Sequence, residues 1–362
     1  MNTIHEYVKQ YGRFTFQESP FNEVDNAVFS SLAYLDFSDC IDDEEEITIR
    51  FLARRYFKKN NTQKIRKNPH SIRQMIETFF LCSTVRRYQD IIVHHFRHII
   101  NETTQFQALC FTISKGTMFV AFEGTDDSMV GWHEDFDMMH TFPIPSQKLA
   151  MEYLNQVITR KYHRVYVGGH SKGGNLAMTA CMYLPFWKQH KVKQIYNNDG
   201  PGFRKEEYES KEFKRIEKKL HVIIPESSVI GLLFYHKKDF QVVKSLGRGI
   251  YQHDLSNWLC YGAYFTPGTL TDEAKSQARR FSICFQKYSY AKKKEFVNIL
   301  FSLFKECNMT VFSEVTNPKI SKLIRLIHAS RKLDKESKEL LIDMFSIVLN
   351  NKVASKNETI AS

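Results

Sequence analysis

The chain has 362 residues, of which 43% are apolar and 25% are charged, as in an ordinary globular protein. Its first residues contain no apolar run of the secretory type, no stretch is long and apolar enough to span a bilayer, and the seven cysteines form no C-x-x-C pair. We therefore expect a cytoplasmic protein without disulfides, metal or cofactor.

The net charge of +11 raises the question of a polyanionic partner. The richest basic segment, residues 54–67, is interpreted as a solvated helix face and loop, because no nucleic-acid-binding motif accompanies it. The sequence thus predicts no nucleic-acid partner. It leaves open a peripheral contact with an anionic membrane, and it does not indicate an oligomeric state.

Residues 1–100 are predicted to form a mainly helical region. Apolar residues recur at helical spacing in the stretches 24–35, 49–57 and 72–80. His94, His95 and His98 lie near the end of this region, two of them four residues apart. They lack the H-E-x-x-H pattern of a zinc site, so we do not interpret them as metal ligands.

Residues 101–265 are predicted to form an α/β core. The predicted elements are strands at 106–113 and 117–122, a helix from 146, a strand at 164–167, a helix at 176–184, a strand at 194–196, a helix at 206–219, and strands at 221–224 and 240–244. Strands that alternate with helices indicate a mostly parallel sheet with helices on both faces. Residues 266–362 are again helical in pattern, and we expect them to pack on the core.

The stretch Val-Gly-Gly-His-Ser-Lys-Gly-Gly-Asn, residues 167–175, has the G-x-S-x-G spacing of a nucleophile elbow. In that turn a serine occupies a strained position at the end of a strand, and the flanking glycines allow the backbone to fold tightly. A predicted strand precedes Ser171 and an apolar helix follows it, as an elbow requires. A phosphate site at the same helix N-terminus is the alternative, but no G-K-[ST] motif supports it. We therefore predict Ser171 to be a nucleophile.

An acyl-transfer site also needs donors for the oxyanion that forms on the substrate. One donor would be the backbone N–H of Lys172, the residue after the serine. The other would come from Thr125, which follows the predicted strand 117–122, through its backbone N–H with or without its hydroxyl.

A general base must reach the serine from a loop after the last strands of the core. Of the fourteen histidines, His253 in Tyr-Gln-His-Asp is placed in this way, and His236 is the alternative. His170 belongs to the elbow, and we interpret it as pointing away from the partner of the serine.

The carboxylate that orients the base is left open between several residues. Glu226, which follows the strand 221–224 closely, is preferred. Asp199 is the rival; it follows the strand after the elbow helix, beside Gly-Pro-Gly. Asp239 and Asp254 are also near His253 in the sequence.

These blocks together resemble the class 3 lipases of the α/β-hydrolase fold and, more closely, a family of bacterial hydrolase-like proteins related to them. The resemblance is carried by Gln105-Phe106, Gly124-Thr125-Asp126, Gly131-Trp132-His133-Glu134-Asp135-Phe136, the elbow, residues 198–202 and Gln252-His253-Asp254, within residues 1–260. It implies that Trp132 packs beneath the oxyanion loop and that Asp135 holds the loop by hydrogen bonds. Glu123 departs from the pattern, because class 3 lipases usually have arginine there.

The sequence therefore predicts an α/β-hydrolase core with helical N-terminal and C-terminal additions. It predicts a serine hydrolase that cleaves an ester or related acyl bond, with a lipase-like substrate implied only by the resemblance. The alternatives are a catalytically idle hydrolase fold that serves as a scaffold, and a binder of nucleic acid or membrane surfaces driven by the positive charge.

Overall fold

The computed structural model describes residues 2–42, 44–237, 239–316, 320–331 and 333–349. Its strands are β1 (Asn2–Thr3), β2 (Ile47–Thr48), β3 (Ile92–Ile100), β4 (Gln105–Ser114), β5 (Thr117–Phe122), β6 (Arg164–His170), β7 (Val192–Asn198), β8 (Leu220–Pro225), β9 (Gln241–Val243), β10 (Leu259–Tyr261) and β11 (Tyr264–Phe265). Within the described residues, β2 to β9 form one eight-stranded sheet in sequential order, and β1, β10 and β11 form a small second sheet.

The helices surround the large sheet. They are α1 (Ile4–Tyr11), α2 (Glu23–Leu32), α3 (Ile49–Lys59), α4 (Thr62–Arg66), α5 (His70–Thr84), α6 (Met129–Asp137), α7 (Pro145–Val157), α8 (Lys172–Met182), α9 (Phe186–Gln189), α10 (Lys205–Tyr208), α11 (Lys211–Ile216), α12 (Asp272–Lys287), α13 (Tyr290–Glu306), α14 (Ser313–Thr316), α15 (Ile320–Arg331) and α16 (Lys335–Leu349). None of the described helices is long and apolar enough to cross a membrane.

The sheet has an antiparallel half and a parallel half. Strands β2 to β5 pair antiparallel, whereas β5 to β9 pair parallel. Helices lie in the connections from β5 to β8, and a 3-10 turn lies in the connection from β8 to β9. Apolar side chains of β4 alternate between two cores: Leu109 and Phe111 face the N-terminal helices, and Ala108 and Cys110 face α7 and α8. A sheet buried on both faces and built mostly from parallel crossovers is the arrangement of an α/β-hydrolase-like fold, so the predicted fold class is confirmed.

Two predicted elements differ from the structure. The region 1–100 is not helical to its end, because Ile92–Ile100 is strand β3, paired with β4. Its isoleucine and valine side chains pack well on a pleated surface, and the pairing partner, β4, lies outside the segment itself. The predicted helix 206–219 is divided into α10, α11 and a short 3-10 turn. The proposed boundaries at residues 100 and 265 remain predictions.

The N-terminal region is fixed to the sheet by a buried polar cluster. Asn22 caps α2 by accepting from the backbone of residues 24 and 25. Inside the helix, Asp25 pairs with Arg87, both side chains being inaccessible to solvent. Asn26 donates to the side chain of Asn198 at the end of β7, with a distance of 2.8 Å. Helix α2 therefore lies directly behind the carboxyl ends of the parallel strands.

The C-terminal helices have a smaller core of their own. It contains Phe285, Phe296, Leu300 and Phe304, and it also includes Met139, which follows α6. The C-terminal helices thus pack against the segment that leads out of β5, as the sequence predicts for a helical addition on the core.

Candidate active site

Ser171 lies between the end of β6 and the start of α8. Its backbone has φ 57° and ψ −130°, a conformation that costs a residue with a side chain about 1–3 kcal/mol. The glycines are required here: a Cβ on Gly173 would collide with the carbonyl oxygen of Phe122, and one on Gly169 with the backbone of Gly173. The turn therefore presents the serine at the carboxyl edge of the parallel strands, as a nucleophile elbow does.

His253 and Asp199 come together from separate loops. The His253 Nδ1 atom lies 2.7 Å from Asp199 Oδ2. Asp199 is fully buried, and its Oδ1 atom accepts hydrogen bonds from the Ser228 hydroxyl and the Gly231 backbone N–H. Because an ionised carboxylate only accepts, Nδ1 carries the ring proton and Nε2 is the basic atom of the imidazole. This is the pairing that a general base needs on its far side.

The preference for Glu226 is corrected by this geometry. Glu226 follows β8 as predicted, but its Oε1 atom accepts from the backbone N–H of Thr269 at 3.2 Å. The carboxylate that bonds to the His253 ring is that of Asp199. The turn after β8 instead contributes Ser228, whose hydroxyl donates to Asp199. The carboxylate that bonds to His253 therefore follows β7, which is one strand nearer to the elbow than β8.

The other residues considered near His253 have local roles. The His236 Nδ1 atom lies 3.0 Å from the carbonyl oxygen of Lys237, and its ring packs against Phe240. Asp254 accepts from the backbone N–H and the hydroxyl of Ser256, and so caps the next 3-10 turn.

The predicted oxyanion segment is joined to α6. The Thr125 hydroxyl donates to Asp135 Oδ2 with a distance of 2.5 Å. Burial raises the pKa of Asp135 to about 6, against the opposing effects of Lys172 and Thr125. Since the hydroxyl is bonded to Asp135, the donors left for an oxyanion are the backbone N–H groups of Thr125 and of Lys172, the first residue of α8. Backbone N–H groups in a first helical turn have no partner within the helix.

A buried polar cluster supports the start of α8. The Lys172 ammonium lies 3.1 Å from the carbonyl oxygen of Gln105 and 3.3 Å from Glu134 Oε2. The other Glu134 oxygen accepts from the backbone N–H of Ser146 at 2.8 Å. Burial raises the pKa of Glu123 well above its ordinary value, and its carboxyl accepts from the Gln105 amide at 2.8 Å. The raised pKa favours the neutral form of Glu123, at a position where class 3 lipases usually have arginine.

The C-terminal region contacts the segment between Thr125 and α6. The Trp132 ring stacks on Phe312 with centroids 3.7 Å apart and an interplanar angle of 7°. The Ser313 backbone N–H and hydroxyl each donate to the carboxylate of Asp127 at 2.7 Å. The resemblance implies that Trp132 packs beneath the oxyanion loop; the structure shows that its stacking partner comes from the turn before α14, in the C-terminal region, which carries no recognisable motif.

Sequence reasoning missed the neighbours of the base. The interpretation that His170 points away is wrong, because its ring lies 4.3 Å from that of His253, centroid to centroid. Its Nε2 atom lies 2.7 Å from the His253 carbonyl oxygen, and its Nδ1 atom lies 2.7 Å from the Tyr34 hydroxyl. Nothing in the sequence around Tyr34 indicates a contact more than a hundred residues away. For Ser228, the available signal was the pair of serines that follows Glu226 after β8.

Comparison with known proteins gives a family, and a solved structure that is similar. The model of the Mbeg1-like family matches residues 82–302, more than half of the chain, so the chain belongs to the Mbeg1-like family. No curated protein matches the sequence. A solved structure described as the crystal structure of M37 lipase is similar with a TM-score of 0.35 and 13% identity, over 63% of this chain and 76% of that chain.

Proposed function

We propose that this Mbeg1-like protein is a serine hydrolase that cleaves a carboxylic ester or a related acyl bond through an acyl-enzyme. The observation that carries the proposal is the hydrogen bond between Asp199 and His253, together with a strained serine in the elbow at the end of β6. A serine is weakly nucleophilic on its own and needs an adjacent, oriented base. The α/β-hydrolase-like fold supports the proposal, since it brings these groups to one edge of the sheet.

In the first half of the reaction, the Ser171 Oγ atom attacks the acyl carbon while His253 Nε2 takes the hydroxyl proton. The resulting imidazolium is stabilised by Asp199, which stays ionised. The backbone N–H groups of Thr125 and Lys172 donate to the oxyanion of the tetrahedral intermediate. Each well-placed donor of this kind contributes about 3–4 kcal/mol to lowering the barrier.

The first half ends when the C–O bond to the alcohol breaks and the leaving alcohol takes the proton from His253, so that the acyl group remains on Ser171. In the second half, His253 accepts a proton from a water molecule as its oxygen attacks the acyl carbon. The second tetrahedral intermediate then collapses, the acid is released, and His253 returns the proton to Ser171 Oγ. Acyl-chain length and leaving group are open, and small esters, thioesters and phospholipids are the classes to screen.

Labelling with a fluorophosphonate tests the proposal, because the probe reacts with a base-activated serine. We expect labelling of the wild type, its loss in Ser171→Ala, and unchanged labelling in Ser227→Ala, a control serine of similar partial exposure. A panel of acyl esters then defines turnover.

Equal labelling of the wild type and Ser171→Ala would refute Ser171 as the nucleophile. A wild type that neither reacts with the probe nor turns over any ester would instead favour the catalytically idle scaffold.

A further inference from the structure

Tyr34 lies at a junction of the three segments that form the candidate site. It belongs to the turn after α2, in the N-terminal region. Its hydroxyl lies 2.7 Å from His170 Nδ1, in the elbow, and a Cβ on Gly124 would collide with that hydroxyl. Through the His170 ring, the same chain of contacts continues to the backbone of His253.

The hydrogen bonds of this chain have one possible direction. The His253 carbonyl oxygen can only accept, so the His170 Nε2–H donates to it over 2.7 Å. His170 Nδ1 is then an acceptor, and the Tyr34 hydroxyl donates to it.

The titration of both groups agrees with this direction. Burial lowers the pKa of His170 well below its ordinary value, and the neighbouring His253 acts in the same sense. Burial raises the pKa of Tyr34 well above its ordinary value, and the backbone N–H of Gly124 opposes that rise. His170 is therefore a neutral imidazole and Tyr34 a neutral phenol, as the direction of the chain requires.

We propose that Tyr34 and His170 are positioning residues that fix the main chain of His253 relative to the elbow and to the oxyanion segment. This inference rests on the proposed function for its catalytic meaning. Asp199 holds the ring of His253, whereas His170 holds its carbonyl group. The base is thus fixed at two points by two different parts of the chain.

The turn that carries His253 needs such a contact. It is the 3-10 turn Gly249–His253, in which Gly249 has φ +54° and Tyr251 is 73% exposed. Gln252, the residue before the base, is held by Trp258 Nε1, which donates to its carbonyl oxygen, and by the Ser227 N–H, which donates to its side chain, whereas the His253 carbonyl oxygen is held by His170. A displacement of the base by about 1 Å costs up to roughly a hundredfold in rate, so one additional hydrogen bond on its backbone has a measurable effect.

The test compares Tyr34→Phe, His170→Asn and the double variant in kcat and KM on an acyl ester that the wild type turns over. We expect each single variant to lower kcat about tenfold or more with KM little changed, because the substrate contacts remain. The double variant should be no worse than the poorer single variant, because both changes break one chain. Tyr7→Phe is the matched control: it removes another buried tyrosine hydroxyl of the N-terminal region, bonded to Asn22 and Asp25, and should leave kcat unchanged.

A second measurement does not depend on activity. The His253 Nδ1 proton, hydrogen-bonded to a buried carboxylate, should give a downfield proton resonance in protein labelled with nitrogen-15 histidine. We expect that resonance to shift or broaden in Tyr34→Phe and to stay in Tyr7→Phe. The resonance is identified by its loss in His253→Gln.

The outcomes separate the two claims. An unchanged resonance together with an unchanged kcat in Tyr34→Phe, or additive losses in the double variant, would overturn the positioning role. A wild type without hydrolase activity would refute the proposed function, and the resonance would still decide whether Tyr34 orients His253. Unfolding midpoints of all variants show whether a loss of kcat reflects a loss of fold.

Discussion

Replacing Asp199 by asparagine is the sharpest perturbation of the proposed mechanism. The side chain is fully buried and accepts from His253, from the Ser228 hydroxyl and from the Gly231 backbone N–H. An asparagine of the same shape can keep its oxygen towards Ser228 and Gly231. Its amide NH₂ group then faces His253 Nδ1.

The donor at that position favours the wrong tautomer of the base. With the amide donating to Nδ1, the ring proton moves to Nε2, and Nε2 cannot accept the proton of Ser171. In a serine-type triad this exchange lowers kcat roughly 10⁴-fold, about 5.4 kcal/mol at 1.36 kcal/mol per factor of ten. The loss of one hydrogen bond to a charged group costs about 1.5–3 kcal/mol of folding free energy, so the variant should stay folded.

The assay is steady-state turnover of an acyl ester, with Glu226→Gln as the control. Glu226 also follows a parallel strand, but its carboxylate accepts from the Thr269 backbone rather than from His253. We expect Glu226→Gln to stay within about threefold of the wild type. Turnover that is kept in Asp199→Asn and lost in Glu226→Gln would refute the reasoning and restore the acid predicted from the sequence.

Three further predictions concern the oxyanion segment. Thr125→Val removes the donor to Asp135 and should lower kcat up to about a hundredfold by loosening the segment that carries the Thr125 backbone N–H, whereas Thr125→Ser should stay within a few-fold; equal rates would show that the hydroxyl is dispensable. Because burial raises the pKa of Asp135 from 3.8 to about 6, its ionisation destabilises the fold, and the unfolding free energy should fall by about 2 kcal/mol as the pH rises from 4 to 6. Urea unfolding at each pH measures this change, and Asp135→Asn should lack the part of the pH dependence that comes from Asp135. An identical pH dependence of the unfolding free energy in both proteins would contradict the prediction. Phe312→Ala removes the ring stacked on Trp132 and should lower kcat roughly tenfold and increase amide hydrogen exchange in α6; unchanged exchange there would show that the C-terminal contact does not order this segment.

Elements defined by their own residues could be predicted well. The strands β4 to β8, the helices α7 and α8 and the strained turn at Ser171 lie where the sequence places them, within a few residues. Their signals are local, since alternation, helical spacing and glycine positions act over neighbouring residues. Strand β3 was missed because it is defined by pairing with β4, and a short apolar run does not show by itself whether a partner strand is present.

The sequence by itself determined that a serine stands in an elbow and that a histidine follows the last strands of the core. It could not decide which carboxylate meets that histidine, because acids after β7 and β8 both reach the same edge of a parallel sheet. In the tertiary structure it is Asp199 that bonds to the histidine. Its backbone has φ 50°, a conformation that aspartate tolerates, and Ser228, from the turn after β8, donates to its other oxygen. Tyr34 and Phe312 likewise gain their contacts only when segments far apart in the chain pack together. Such contacts depend on the three-dimensional path of the backbone, which no local spacing of residues encodes.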